Sequence, residues 1–340
     1  MSLPSPGLLP RAAVLIAVPV LVVFLPKVQD DFLNYRFAFV GIYLIAIVGL
    51  NVVTGYSGQI SIGHGAFIAF GAYTTAILVS NYDVGTYWTI PIAGILTGIF
   101  GLLFGLPALR LSGVYLALAT FGLAISIVLV AKRFESFTGG GQGKQIDLPS
   151  SPIGGVSTNA WLSYLIWAVA AVMFGAAWLM LRGRLGRAFR AVRDAPIAAV
   201  SSGVNLAWYK TLAFGIAAAY AGVAGSLLAI SIAFVNPDTF PISLSILLLT
   251  GVVVGGLGSL QGMLLGALFI EFVPKWAENL SKHLHYNEGT VQPSVIYGLI
   301  LLAVLFVIPG GAAGLLSQSA AALNRARRWL YSRADSRATA

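Results

Sequence analysis

The sequence predicts an all-α polytopic membrane protein with about ten transmembrane helices, eight at the fewest. Three observations predict it. The mean hydropathy is +0.88. Only 9% of the 340 residues are charged, where soluble proteins carry roughly 25%. The apolar runs are continuous over about 20 residues, the length that crosses a bilayer as a helix, and do not alternate as barrel strands do. The 39 glycines suit helices that pack through small residues. The absence of cysteine excludes disulfides, thiolate catalysis and Cys-ligated zinc.

The candidate spans are 12–26, 37–53, 64–80, 87–106, 113–131, 160–181, 212–233, 243–260, 262–280 and 293–309. The first carries Arg11 ahead of an apolar run, as a signal peptide does. No small-residue cleavage site follows in "VVFLPKVQDD", so it reads as a retained helix. An even number of spans puts both termini on one side. That side gathers Arg11, Arg110, the basic residues of 182–210 and five tail arginines, thirteen cations against Asp194 and Asp335. The opposite loops hold seven cations and nine anions. By the positive-inside rule the basic side is cytoplasmic, so the net charge of +9 marks topology rather than nucleic-acid binding.

The junction after the second span, "NVVTGYSGQISIGHGAF" (51–67), places Gly55, Gly58, Gly63 and Gly65 among Ser57, Gln59, Ser61 and His64. Each glycine costs a helix about 1 kcal/mol relative to alanine. Irregular backbone at membrane depth is tolerated only inside protein or beside water, and broken helices mark transport sites. Asn51, Tyr56, Ser57, Gln59, Ser61 and His64 are therefore candidate pathway side chains. The competing reading is a tight turn at the cytoplasmic surface.

The fourth predicted span carries Gly94, Gly98, Gly101 and Gly105 on one stripe, which fits close packing on a neighbouring helix or a subunit contact. "TGGGQGKQ" (138–145) fails the phosphate-loop pattern, having Thr138 and Gln145 where Gly and Ser or Thr are needed. "GGLGSLQG" (255–262) likewise reads as a tight turn between spans. Segment 182–210, the one long cytoplasmic loop, repeats Phe189, Val192, Ile197, Val200 and Val204 at helical spacing. Asp194 before Pro196 resembles a helix start, and Gly203 a helix end. Two short amphipathic helices outside the membrane would result, lying on anionic lipid through their arginines or transmitting force to the flanking spans. On the ninth predicted span, Glu271 and Lys275 are spaced for a local ion pair. His283 and His285 form a weak metal signal. No paired carboxylates or Ser–His–Asp set converge in the spans, which disfavours an intramembrane enzyme.

The ordered stretches "NVVTGYSGQISIGHGAFIAFGAYTTAIL", "LRLSGVYLALATFGLAI", "FTGGGQG", "GRLGRAFRAVRDAPIAAVSSGVNLAWYKTLAFGIAAAYAGVAGSLLA", "GGLGSLQGMLLGA" and "LLAVLFVIPGGAAGLL" closely resemble the permease subunits of branched-chain amino acid ABC importers, of the LivM type, over roughly residues 37–316. The resemblance implies an ABC importer permease fold: a transmembrane domain at 1–316 with a cytoplasmic coupling loop near 182–210, and a basic cytoplasmic tail at 317–340. It implies a multi-pass protein of the bacterial inner membrane that is not an enzyme and binds no cofactor. ATP would be hydrolysed by two cytoplasmic partner subunits. The other implied partners are a second homologous permease, a periplasmic substrate-binding protein and membrane lipid. Ile197, Ala198, Ala199 and Gly203 fall on the family's alanine-alanine…glycine signature. Ile197 stands where an acidic residue is usual, with Asp194 further upstream. Arg187, Arg190 and Asp194 complete the implied ATPase-coupling set. Similar permeases move branched-chain amino acids, urea or short-chain amides. An ion-coupled secondary transporter is the alternative of another class. It would need titratable groups within the spans, and Glu271 is the one candidate.

Overall fold

The computed structural model describes residues 31–111, 113–147, 157–283, 292–307 and 310–314. The first predicted span, His285 and the 317–340 tail lie outside these residues. Nine long helices, among the described residues, coincide with the second to tenth predicted spans: α1 (Asp31–Asn51), α2 (His64–Tyr82), α3 (Thr86–Ala108), α4 (Val114–Arg133), α6 (Thr158–Arg182), α9 (Leu206–Ile232), α10 (Ile242–Gly255), α11 (Met263–His283) and α12 (Pro293–Val307). Between them lie three short helices, α5 (Glu135–Thr138), α7 (Arg184–Asp194) and α8 (Pro196–Ser201). Seven helical segments are long and apolar enough to cross a membrane by length and composition alone. α2, which carries His64, Asn81 and two adjacent threonines, is outside that set. So is α11, with Glu271, Lys275, Glu278 and Lys282. The chain is an all-α multi-pass membrane protein.

α9 is the axis of the bundle and is mostly enclosed from Thr211 onward. It packs most extensively on α3, then on α2 and α1. Lipid offers no hydrophobic drive between helices, so close approach must supply the attraction. The predicted glycine stripe of α3 does so within this chain. Its residues meet α9 in antiparallel order: Gly94 against Val223, Gly98 against Ala219, Gly101 against Ala218 and Gly105 against Thr211. On the other side of α9, Gly71 of α2 lies on the backbone of Gly222, and Gly225 lies on the carbonyl of Ile68. Where α2, α3 and α9 meet, the Thr75 hydroxyl donates to Ser226 Oγ at 2.7 Å. Phe67, Phe100, Phe104 and Phe214 form an edge-to-face chain, with centroids 5.9–6.2 Å apart, that fills the space between the same three helices.

α6 packs on α1, and α10 and α11 pack on each other and on α1. On the opposite side from α7 and α8, a two-residue antiparallel ribbon joins β1 (Lys144–Gln145) to β2 (Phe234–Val235), with Lys144 opposite Val235. Lys132 Nζ reaches Asp238 Oδ1 at 2.9 Å there. These contacts tie the 134–147 connection to the 233–241 connection. The glycines of 138–145 serve this turn: Gly139, Gly140 and Gly143 all have positive φ.

Candidate functional site

α1 does not stop at its last regular turn. Residues Val52–Tyr56 continue as a wider turn, with Ser57 N–H donating to Val52 O at 3.0 Å and Gln59 N–H to Val53 O at 2.9 Å. The chain then runs irregularly through Ser57–Gly63 before α2 starts at His64. His64 Nε2 lies 3.0 Å from the carbonyl oxygen of Ala46. Ala46 is ten residues before Tyr56, so at 1.5 Å per residue the chain has climbed about 15 Å back along α1 before the new helix begins. The segment is a re-entrant strip that folds back beside α1. Asn51, Tyr56, Ser57, Gln59, Ser61 and His64 are all buried in it, whereas Gly58 and Ile60 are exposed.

A strip of irregular backbone inside a membrane protein must find partners outside itself, and each neighbour contributes. Ile62 N–H donates to Thr120 Oγ1 of α4 at 3.0 Å. Gly65 N–H donates to Ser245 Oγ of α10 at 2.9 Å. Gln59 Nε2 donates to Ser57 Oγ at 2.7 Å and to the carbonyl of Lys210 at 3.2 Å. Asn51 clamps the turn between α10 and α11, accepting from Gly258 N–H at 2.9 Å and donating to Ser259 O at 3.0 Å. Tyr56 meets the Leu260 backbone of the same turn.

Two predicted residues keep unused polar atoms. Ser61 Oγ and His64 Nδ1 are buried with no partner, although each residue is only 1% exposed. A carbonyl can only accept, so the contact with Ala46 puts the imidazole proton on Nε2 and leaves Nδ1 a bare acceptor. Beside the strip, Thr54 Oγ1 is also without a partner.

On the side where α1 ends, α7 and α8 form the two predicted short helices. α7 buries Phe189 and Val192, and Phe189 meets Tyr209 of α9 edge-on at 6.1 Å. Asp194 ends α7 rather than starting α8. Its carboxylate accepts from Arg193 Nε at 2.7 Å, a hydrogen bond that pulls its pKa below the usual aspartate range. α8 runs from Pro196 to Ser201, and just past its end, at Gly203, φ is +82° and Val204 N–H returns to Ala199 O at 2.9 Å. Glycine adopts that backbone without strain. Of the predicted coupling residues, Ala199 is buried and Arg190 half-buried; Arg187, Asp194, Ile197, Ala198 and Gly203 are exposed. Ile197 is 84% exposed and Val200 54%, an apolar pair projecting from the bundle.

The structure also brings in residues the sequence did not single out. Arg193 Nη1 donates to the carbonyl of Gly55 at 2.6 Å, and Thr120, Ser245, Gly258 and Ser259 hold the strip. In sequence Arg193 is one of five arginines between 182 and 193, and nothing in the pattern separates it from the rest. The ion pair on α11 is present, with Lys275 Nζ on Glu271 Oε1. Among the described residues no cluster of three or more His, Asp or Glu could hold a metal.

Comparison with known proteins follows this geometry. The family model for the branched-chain amino acid transport system permease component matches residues 33–309. The high-affinity branched-chain amino acid transport system permease protein LivM of Escherichia coli K12 is 34% identical over 290 residues, covering 78% of this chain and 66% of its own. LivH of Salmonella typhimurium, a permease protein of the same transport system by name, is 28% identical over 290 residues, covering 80% and 91%. The autoinducer 2 import system permease protein LsrC of Klebsiella pneumoniae is 32% identical over 243 residues, covering 69% and 65%. The chain thus spans just under two thirds of the length of LivM. No solved structure matches.

Proposed function

The chain belongs to the branched-chain amino acid transport permease family, and from that premise we propose that it is a transmembrane permease subunit of an ATP-driven importer in the bacterial inner membrane, with both termini cytoplasmic. One observation carries the reading furthest. The helices of 184–201 bury one apolar face against the bundle and present a second, Ile197 and Val200, outward. A free apolar pair on a short helix fits the groove of a partner protein. The partner is an ATP-binding subunit, two copies of which would serve this chain and a second, related permease. Arg187, Arg190, Asp194, Ala198 and Gly203 complete that contact surface, with Ala199 buried beneath it.

The pathway runs past the re-entrant strip. The strip consumes most of its hydrogen-bonding groups on its neighbours but leaves Ser61 Oγ, His64 Nδ1 and Thr54 Oγ1 unpaired. Such groups give a polar solute weak, separable contacts, and weak binding is what passage requires. ATP binding closes the ATPase pair and displaces α7 and α8. The displacement tilts the strip and the helices it joins, and so exchanges which side of the membrane is open. The permease itself supplies no chemistry.

Branched-chain amino acids are the proposed cargo, delivered by a periplasmic binding protein. The test is uptake into proteoliposomes holding this chain, its partner permease and the ATPases, with leucine, isoleucine, valine and urea offered in turn. ATP-dependent uptake of the three amino acids supports the proposal. Uptake driven by an ion gradient without ATP overturns it, and ATP-driven uptake of urea alone overturns the cargo.

A further inference from the structure

We propose that Arg193 is the residue through which motion of α7 reaches the re-entrant strip, a positioning role that rests on the ATP-driven reading above. The carbonyl of Gly55 lies in the wider turn beyond α1, where the α-helical ladder has already given way. In a continuous helix its donor would be the N–H four residues on, that of Gln59, but Gln59 N–H goes to Val53 O instead. Arg193 Nη1 takes the place of the missing donor at 2.6 Å, a charged donor and so a strong one. Its Nε is held from the other side by Asp194 at 2.7 Å.

The slot that admits the guanidinium is made by glycines on two separate segments. A β-carbon on Gly58 would stand 2.6 Å from Arg193 Cγ, and one on Gly258 would stand 2.8 Å from Arg193 Nη1. Gly258 is also the residue whose N–H is bound by Asn51. The end of α1, the turn between α10 and α11, and the end of α7 therefore converge on one side chain. α7 is anchored to the bundle by Phe189 and Val192 but fastened to the strip by Arg193. When α7 moves as a body, Gly55 is pulled with it, and Ser61 and His64 lie six and nine residues further along the same strand of chain. A lysine could supply the charge but not the planar fork that spans Gly55 and Asp194 together.

The experiment uses the full complex in proteoliposomes and reads substrate taken up per ATP hydrolysed, a ratio that a loss of folded protein does not change. Arg193→Met should assemble with the ATPases and hydrolyse ATP while the ratio falls by about tenfold, and Arg193→Lys should recover part of it. Arg184→Gln, an exposed arginine outside the slot, should match the unaltered chain. If Arg193→Met fails to assemble, Arg193→Lys alone is read, and a lowered ratio is still required. Wild-type ratios in every Arg193 variant that assembles would overturn the inference and leave the permease reading standing. Failure of that reading looks different: the unaltered complex itself shows no ATP-dependent uptake.

Discussion

The imidazole of His64 rests on the carbonyl of Ala46, 3.0 Å away, and this contact fixes where the second described helix begins. α2 starts deep beside α1, at the end of a strip that is largely buried yet not helical. The side chains along the strip divide into those that hold it and those that are free, and the two groups should respond differently to mutation.

Asn51 belongs to the first group. Asn51→Ala strands Gly258 N–H and Ser259 O, both in half-buried residues, which costs about 1 kcal/mol. Thermal unfolding of the purified protein should show the loss. Ser61 belongs to the second group, because its hydroxyl has no partner to lose. Ser61→Ala should leave the unfolding temperature unchanged and lower uptake. Equal destabilisation by both variants would assign Ser61 to the scaffold.

The glycines of the bundle sort in the same way. Gly71 and Gly225 sit where α2 and α9 touch backbone to backbone, so Gly71→Leu and Gly225→Ala should abolish the folded yield. Gly122 and Gly175 have nothing within 4 Å of a β-carbon. Gly122→Ala and Gly175→Ala should be neutral or stabilising by up to about 1 kcal/mol, the helix-propensity difference. Fluorescence-detected size exclusion across the four variants checks the division.

Much of this architecture was legible in the sequence, because nine continuous apolar runs became nine helices and a stripe of glycines became a helix contact. Helix boundaries differ from the apolar runs where a cap or a positive-φ glycine sets the end. Asn205 caps α9 by accepting from Trp208 N–H at 3.1 Å, so that helix starts at Leu206 rather than 212. Gly256, with φ at +106°, ends α10 at Gly255 rather than 260. The ribbon of β1 and β2 gave no warning, since two residues carry no periodicity. The links that matter most to the site were also hidden. Asn51 meets Gly258 across 207 positions, and Arg193 meets Gly55 across 138. Composition and spacing along the chain hold no record of such pairs, whereas the local polarity of 51–67 was enough to mark the strip itself.

α8 supplies a prediction on partner contact. Ile197→Asp changes an exposed side chain and should leave folding intact while the ATPases no longer co-purify. Ala199→Arg forces a long cation into a buried site and should also abolish uptake, with the protein still in the membrane. Normal co-purification and uptake in both variants would remove the coupling assignment.

The absence of cysteine from the chain makes the decisive measurement direct. A single Ile197→Cys is exposed to a membrane-impermeant maleimide in inside-out and right-side-out vesicles, with and without the ATPase subunits. The account predicts labelling in inside-out vesicles only, suppressed when the ATPases are bound. Labelling in right-side-out vesicles would place α8 outside the cell, beyond reach of any ATP-driven partner, and would contradict the account.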